Sequence, residues 1–147
     1  MEGNNSKSIR IHKGFWTRDE VAKDVDSVYV FGDNSSDAIT KYVPNSTQAC
    51  IRGLNNAVGL PTKLTGFTDS KAYMNDSLLS IFRIMVDTTI LHLKNHERLG
   101  KTIVFPADGL GTGKAKLKEK APKCWEYLCK RSKEEFNYDN RQDQNNS

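Results

Sequence analysis

The chain has 147 residues, 37% of them hydrophobic, a mean hydropathy of −0.64 and a net charge of +4. That length supports one domain with a real core, and no run approaches the roughly eighteen apolar residues of a membrane span. Three cysteines (Cys50, Cys124, Cys129) without a CxxC pair argue against a disulfide frame or a zinc site and suit a reducing, cytoplasmic setting.

Residues 1–7 are polar, carry no apolar signal-peptide core, and are predicted to be flexible. Ile9 to Trp16 alternates loosely and predicts a first strand with Ile9, Ile11 and Phe15 facing inward. Thr17-Arg-Asp-Glu20 has capping-box spacing, which predicts a helix from Arg18 to about Asp24, with Phe15 or Trp16 stapled to Val21. Ser27 to Phe31 reads as a strand that exits through Gly32-Asp33-Asn34, and Ser35 to Pro44 reads as loop. Asn45 or Ser46 is the expected cap of a helix through Gln48, Ala49, Cys50 and Ile51, ending near Gly53.

Asn56 to Lys63 predicts a short strand ending at Pro61. The longest helix starts at Asn75 or Asp76 and ends at Gly100. Leu78, Leu79, Ile81, Phe82, Met85, Val86, Ile90 and Leu93 form its apolar stripe. Thr102 to Phe105 is β-compatible and is followed by Pro106 and glycines at 109, 111 and 113. Pro122 then suits the first turn of a helix carrying Trp125, Leu128 and Cys129. From Glu134 the chain is polar and reads as a disordered tail, so the domain is expected to span 8–133.

The order of strands and helices predicts a single α/β domain, three layers α/β/α around a mixed sheet. Three strand exits carry polar or glycine-rich sequences: Gly32-Asp33-Asn34, Pro61-Thr62-Lys63, and Asp108-Gly109-Leu110-Gly111-Thr112-Gly113. At one sheet edge they would form a single cleft. Glycines let backbone N–H groups converge on a ligand, and phosphate is the usual ligand of such a loop. Charge is unevenly spread: eight Lys/Arg stand against two Glu from Lys114 to Lys133. That band would attract an anionic small molecule or present a solvated helix face.

The blocks Val30-Phe-Gly-Asp-Asn34, Asn56-Ala-Val-Gly-Leu-Pro-Thr-Lys63 and Ile103 to Ala115 resemble a family of small phage and bacterial proteins. That family has the pattern FGDN…GIPTK…FPxDGLGTGxA. More distantly, the layout is similar to macro domains, which bind ADP-ribose. The resemblance implies an ADP-ribose-like ligand, and, in a phage protein, a pocket that sequesters a nucleotide immune signal. Asn34 would sit at the macro-type strand exit, Ser46-Thr47-Gln48 would open a first phosphate helix, and Gly109 to Gly113 would form the second phosphate loop. The family's Gly-Gly-Gln-Ala element is replaced here by Ser46-Thr47-Gln48-Ala49.

In one macro-domain branch, the terminal ADP-ribose protein glycohydrolases, a lysine resembling Lys63 attacks the sugar with help from an aspartate after the second glycine loop. Here Lys114 stands near that place, so Asp108 or Asp33 would have to serve. The candidate ligand residues are therefore Gly32, Asp33, Asn34, Ser46, Thr47, Gln48, Arg52, Lys63, Asp108, Gly109, Leu110, Gly111, Thr112, Gly113 and Lys114, with Lys63 and Asp108 as catalytic candidates.

Asp33 and Asn34 would fix a base or ribose, and Arg52 a phosphate. His92 and His96 lie one helical turn apart, but no third ligand accompanies them. No metal and no cofactor are expected. Nucleic-acid and membrane binding are not expected, and oligomeric state is left open. The alternatives to ligand binding are an ADP-ribosyl or nucleotide-sugar hydrolase and a basic protein-interaction module.

Overall fold

A computed structural model describes residues 8–67 and 69–141. Four strands, β1 (Ile9–His12), β2 (Ser27–Asn34), β3 (Ala57–Lys63) and β4 (Thr102–Pro106), form one sheet in the order β1-β4-β2-β3. The chain is a single α/β domain. The strands all pair in parallel, where a mixed sheet was expected; the antiparallel contact is one bridge between Lys63 and Tyr73. Helical crossovers between successive strands account for this, since they return each strand in the same direction.

Both faces of the sheet are covered, which explains the unbroken burial of Ser27 through Phe31. Val28, Val30, Ile103 and Phe105 point to one face and pack against α3 (Leu79–Arg98) and α5 (Pro122–Phe136). Tyr29, Phe31 and Val104 point to the other. There they meet Val21 of α1 (Arg18–Lys23) and Ala49, Cys50 and Ile51. The alternation is the two-residue period of a strand.

α1 starts as its sequence predicts. The Thr17 hydroxyl accepts the Glu20 N–H at 3.1 Å, and Trp16 packs with Val21 in one apolar cluster. Phe15 does not turn inward but stands 89% exposed, and Ile11 is exposed as well. In α3, Phe82, Val86, Ile90 and Leu93 are buried, whereas Ile81 faces outward. α5 begins at Pro122. Its free Lys123 and Cys124 N–H groups are taken by the Asp76 carboxylate from the turn before α3.

Three stretches differ from expectation. Ser35–Thr40 is a helix, α2, not a loop. Asn34 caps it by accepting the Asp37 N–H at 2.9 Å. Gln48–Ile51 is a single 3-10 turn, not a helix capped by Asn45 or Ser46: Thr47 precedes it at φ 75° and no side chain caps it. The presumed tail is ordered as far as Arg141. α5 runs to Phe136, Asn137 closes it in the left-handed region, and Tyr138 and Asn140 are buried. Tyr138 stacks on Phe105 at 4.2 Å and donates its hydroxyl to the Pro106 carbonyl at 2.6 Å. Residues 1–7 and 142–147 lie outside the described residues, as do the expectations about them.

Candidate functional site

The strands are parallel, so their C-terminal ends share one edge. The neighbouring strands β2 and β4 send their chains to opposite faces: β2 leads to the 3-10 turn on one face, and β4 leads through α4 (Leu117–Lys120) to α5 on the other. Divergent connections open a crevice between them, the usual ligand position in open α/β sheets. A cleft of about 930 Å³ lies there. It gathers all three polar strand exits: Gly32 to Asn34, Thr62-Lys63, and Asp108 to Lys114.

Of the candidate residues, Ser46 and Leu110 do not line this cleft. Ser46 opens onto a neighbouring hollow. Leu110 is core; its N–H and carbonyl are both engaged by the Asn140 side chain, at 2.7 and 2.9 Å. Asn140 is 1% exposed, so the middle of the glycine loop is anchored from the C-terminal segment. Gly109 and Gly111 on either side have φ 89° and 80°, a region that favours glycine. A Cβ on Gly111 would also stand 2.9 Å from Leu117 Cδ2.

The loop beyond Leu110 is where donors collect. Among the described residues, no acceptor takes the backbone N–H groups of Gly111, Thr112, Gly113 or Lys114. The Thr112 hydroxyl donates to the Asp108 carbonyl at 2.8 Å and shapes the turn. Lys63 comes from the adjacent wall and is 7% exposed. Its ammonium donates to the Phe67 carbonyl at 2.5 Å and lies 5.1 Å from the centre of the Tyr73 ring. Burial, then the nearby Lys114 charge, holds the Lys63 pKa below the ordinary lysine value.

Several expected ligand contacts are instead framework. Asp33 is tied into the framework through one of its two carboxylate oxygens. Its Oδ1 accepts the Arg52 Nε–H at 3.0 Å, a second Arg52 N–H, and the Asn34 N–H at 2.8 Å. Arg52 also donates to the Tyr42 carbonyl, so it is a buried strut and not a phosphate clamp. Gly59 on β3 makes room for this pair: a Cβ there would stand 2.6 Å from Asp33 Oδ2. The Asn34 side chain is spent on capping α2 and on Asp37.

Gln48 spans the two walls. Its Oε1 accepts the Gly32 N–H at 2.8 Å and its Nε2 donates to the Gly109 carbonyl at 3.0 Å. The turn that it opens is too short for a helix dipole, so no helical anion site exists at Ser46-Thr47. Asp108 is exposed, on the same loop.

Asp37, Tyr42 and Phe67 also line the cleft and were not singled out from sequence. Asp37 hides in a stretch that reads as loop, and its relation to the site exists only once α2 forms. His92 and His96 stack edge to face at 5.0 Å, and among the described residues no group of three side chains suits a metal.

No helix among the described residues is long and apolar enough to cross a membrane. No curated protein matches the chain, and no solved structure does. A family model described as a family of unknown function, DUF7831, matches residues 11–131, from the second half of β1 through the other three strands, and stops short of the Tyr138–Asn140 anchor. The chain belongs to that family.

Proposed function

We propose that the cleft binds a nucleotide of the ADP-ribose type through its diphosphate. The observation that carries this reading is the set of unengaged N–H groups from Gly111 to Lys114, beside the ammonium groups of Lys63 and Lys114. Such donors suit a multiply charged oxyanion. A cleft of about 930 Å³ also has room for more than a free phosphate. A macro-like relationship, and a role in sequestering a nucleotide signal, belong to the same proposal and draw support from the glycine loop and three-layer arrangement.

Calorimetry with ADP-ribose tests it. Lys114→Ala removes one cation. Gly113→Ala adds a Cβ that meets nothing within 4 Å in the protein, so its effect falls mainly on a ligand, apart from about 1 kcal/mol of backbone strain. Both should weaken binding about tenfold, in line with the loss of one charge-assisted contact. No heat at millimolar ADP-ribose rejects the reading.

A hydrolase is the second reading, favoured by the depressed pKa of Lys63, because a neutral amine is the nucleophilic form. It predicts turnover that Lys63→Ala abolishes. Turnover that survives this change removes the nucleophile role from Lys63, and no turnover at all with ADP-ribosylated substrates leaves binding alone.

A further inference from the structure

If the diphosphate lies on the glycine loop, the base needs a stacking face, which Asp33, tied through Oδ1 to Arg52 and the Asn34 N–H, does not supply. Beside the cleft lies a second hollow of about 450 Å³, walled by Phe15, Trp16, Val43 and Pro44, with Asn45 and Ser46 at its edge. It adjoins the cleft. Thr47 and Pro44 line both, and a small pocket lined by Phe15, Thr47, Gln48 and Asp108 shares residues with each.

Phe15 is the unexplained residue here. It follows Gly14 at φ 80°, and its carbonyl lies 3.2 Å from His12 Nε2, so its backbone is held while its ring stays in solvent. Trp16 is fixed from below: its Nε1–H donates to the Gln48 carbonyl at 3.0 Å, and its ring packs edge-on against Tyr29. The hollow is thus tied to the same residue that spans the cleft. Among the described residues, the Asn45 amide and the Ser46 hydroxyl have no hydrogen-bond partner. A free amide offers both a donor and an acceptor, the combination that reads the edge of a base.

We infer that this hollow is the base subsite. It takes the planar ring of a nucleotide whose phosphates occupy the Gly111–Lys114 loop, with Phe15 as the stacking face and Asn45 as the edge reader. The inference rests on the proposed anion site, and the competing aromatic is Phe67, whose carbonyl is tied to Lys63 on the other side of the cleft.

The test compares ADP with pyrophosphate by amide NMR titration of the full chain and of Phe15→Ala, Asn45→Ala and Phe67→Ala. ADP should bind the wild type more tightly than pyrophosphate does. Phe15→Ala should cost ADP on the order of 5- to 100-fold, the range for loss of one base–aromatic stack, and leave pyrophosphate affinity unchanged. Asn45→Ala should weaken ADP in the same selective way. Shifts should appear at Phe15 and Ser46 with ADP but not with pyrophosphate.

Pyrophosphate binding without any gain from the base overturns the subsite and spares the anion site. So does ADP binding that responds to Phe67→Ala and ignores Phe15→Ala. Failure of both probes to bind the wild type overturns the anion site and the subsite together.

Discussion

Asp33 and Arg52 form a buried ion pair in which each side chain is the other's counter-charge. Removing the arginine strands a buried carboxylate. Arg52→Ala should therefore cost about 3–5 kcal/mol in urea unfolding. Arg52→Lys should recover little of it, because one ammonium cannot serve both Asp33 and the Tyr42 carbonyl in the arginine's planar geometry. A stability within about 0.5 kcal/mol of wild type, the usual range for an ordinary surface change, would contradict this. In the proposed anion site, Lys63 should carry the pH dependence. Its pKa lies below the ordinary lysine value, for reasons of burial and of Lys114. As pH rises through that depressed value the ammonium loses its charge, so phosphate affinity should fall in alkaline solution before an exposed lysine would titrate. Lys63→Met should abolish that inflection in a calorimetric pH series, and an inflection that persists assigns it to another group.

At the level of elements, the glycine loop of β4 is held by a segment that follows α5. Asn140→Ala removes both bonds to Leu110 and leaves a buried N–H without an acceptor. The expected cost is about 1–3 kcal/mol, with hydrogen exchange at Leu110 faster than in the wild type and that at Phe82 much less affected. Unchanged exchange at Leu110 would show that the loop holds its shape unaided. This brace was invisible in the sequence for a physical reason. Composition near the C-terminus reports little apolar content, whereas Tyr138 and Asn140 are anchored by hydrogen bonds and one ring stack. α2 escaped notice in a similar way: it has six residues, no buried side chain, and depends on the Asn34 cap and the left-handed Lys41. By contrast, Thr17, Pro122 and the apolar stripe of α3 mark their helices locally, so those elements were legible. The convergence of the three strand exits was legible too, because it follows from element order. The Asp33–Arg52 pair was not, since nothing local links residues nineteen positions apart.

Across the whole molecule, the sheet separates two apolar layers, and the cysteines are distributed between them. Cys50 lies in the layer with Trp16 and Val21, while Cys124 and Cys129 lie with α3 and α5. Burial pushes the Cys124 and Cys129 thiols up to about 11, with Asp76 adding to the first. It raises Cys50 as well. Thiolate is the reactive form, so Ellman's reagent should find no fast-reacting thiol in the native protein at pH 8 and three after denaturation. Even one rapid native thiol would mean that a layer opens readily. The absence of a CxxC pair made free thiols legible in advance, but their placement on opposite faces of the sheet needed the fold.

One amide, that of Gln48, bridges from the Gly32 N–H to the Gly109 carbonyl. The site therefore has a built-in calliper. Its two walls are tied across by the reach of a single side chain. Shortening that reach by one methylene with asparagine would have to draw the walls together or break one bond. Glutamate would keep the bond to Gly32 and lose the donor to Gly109. If the proposed ligand binds there, its size limit should shift through one codon, with the sheet and both apolar layers left as they are.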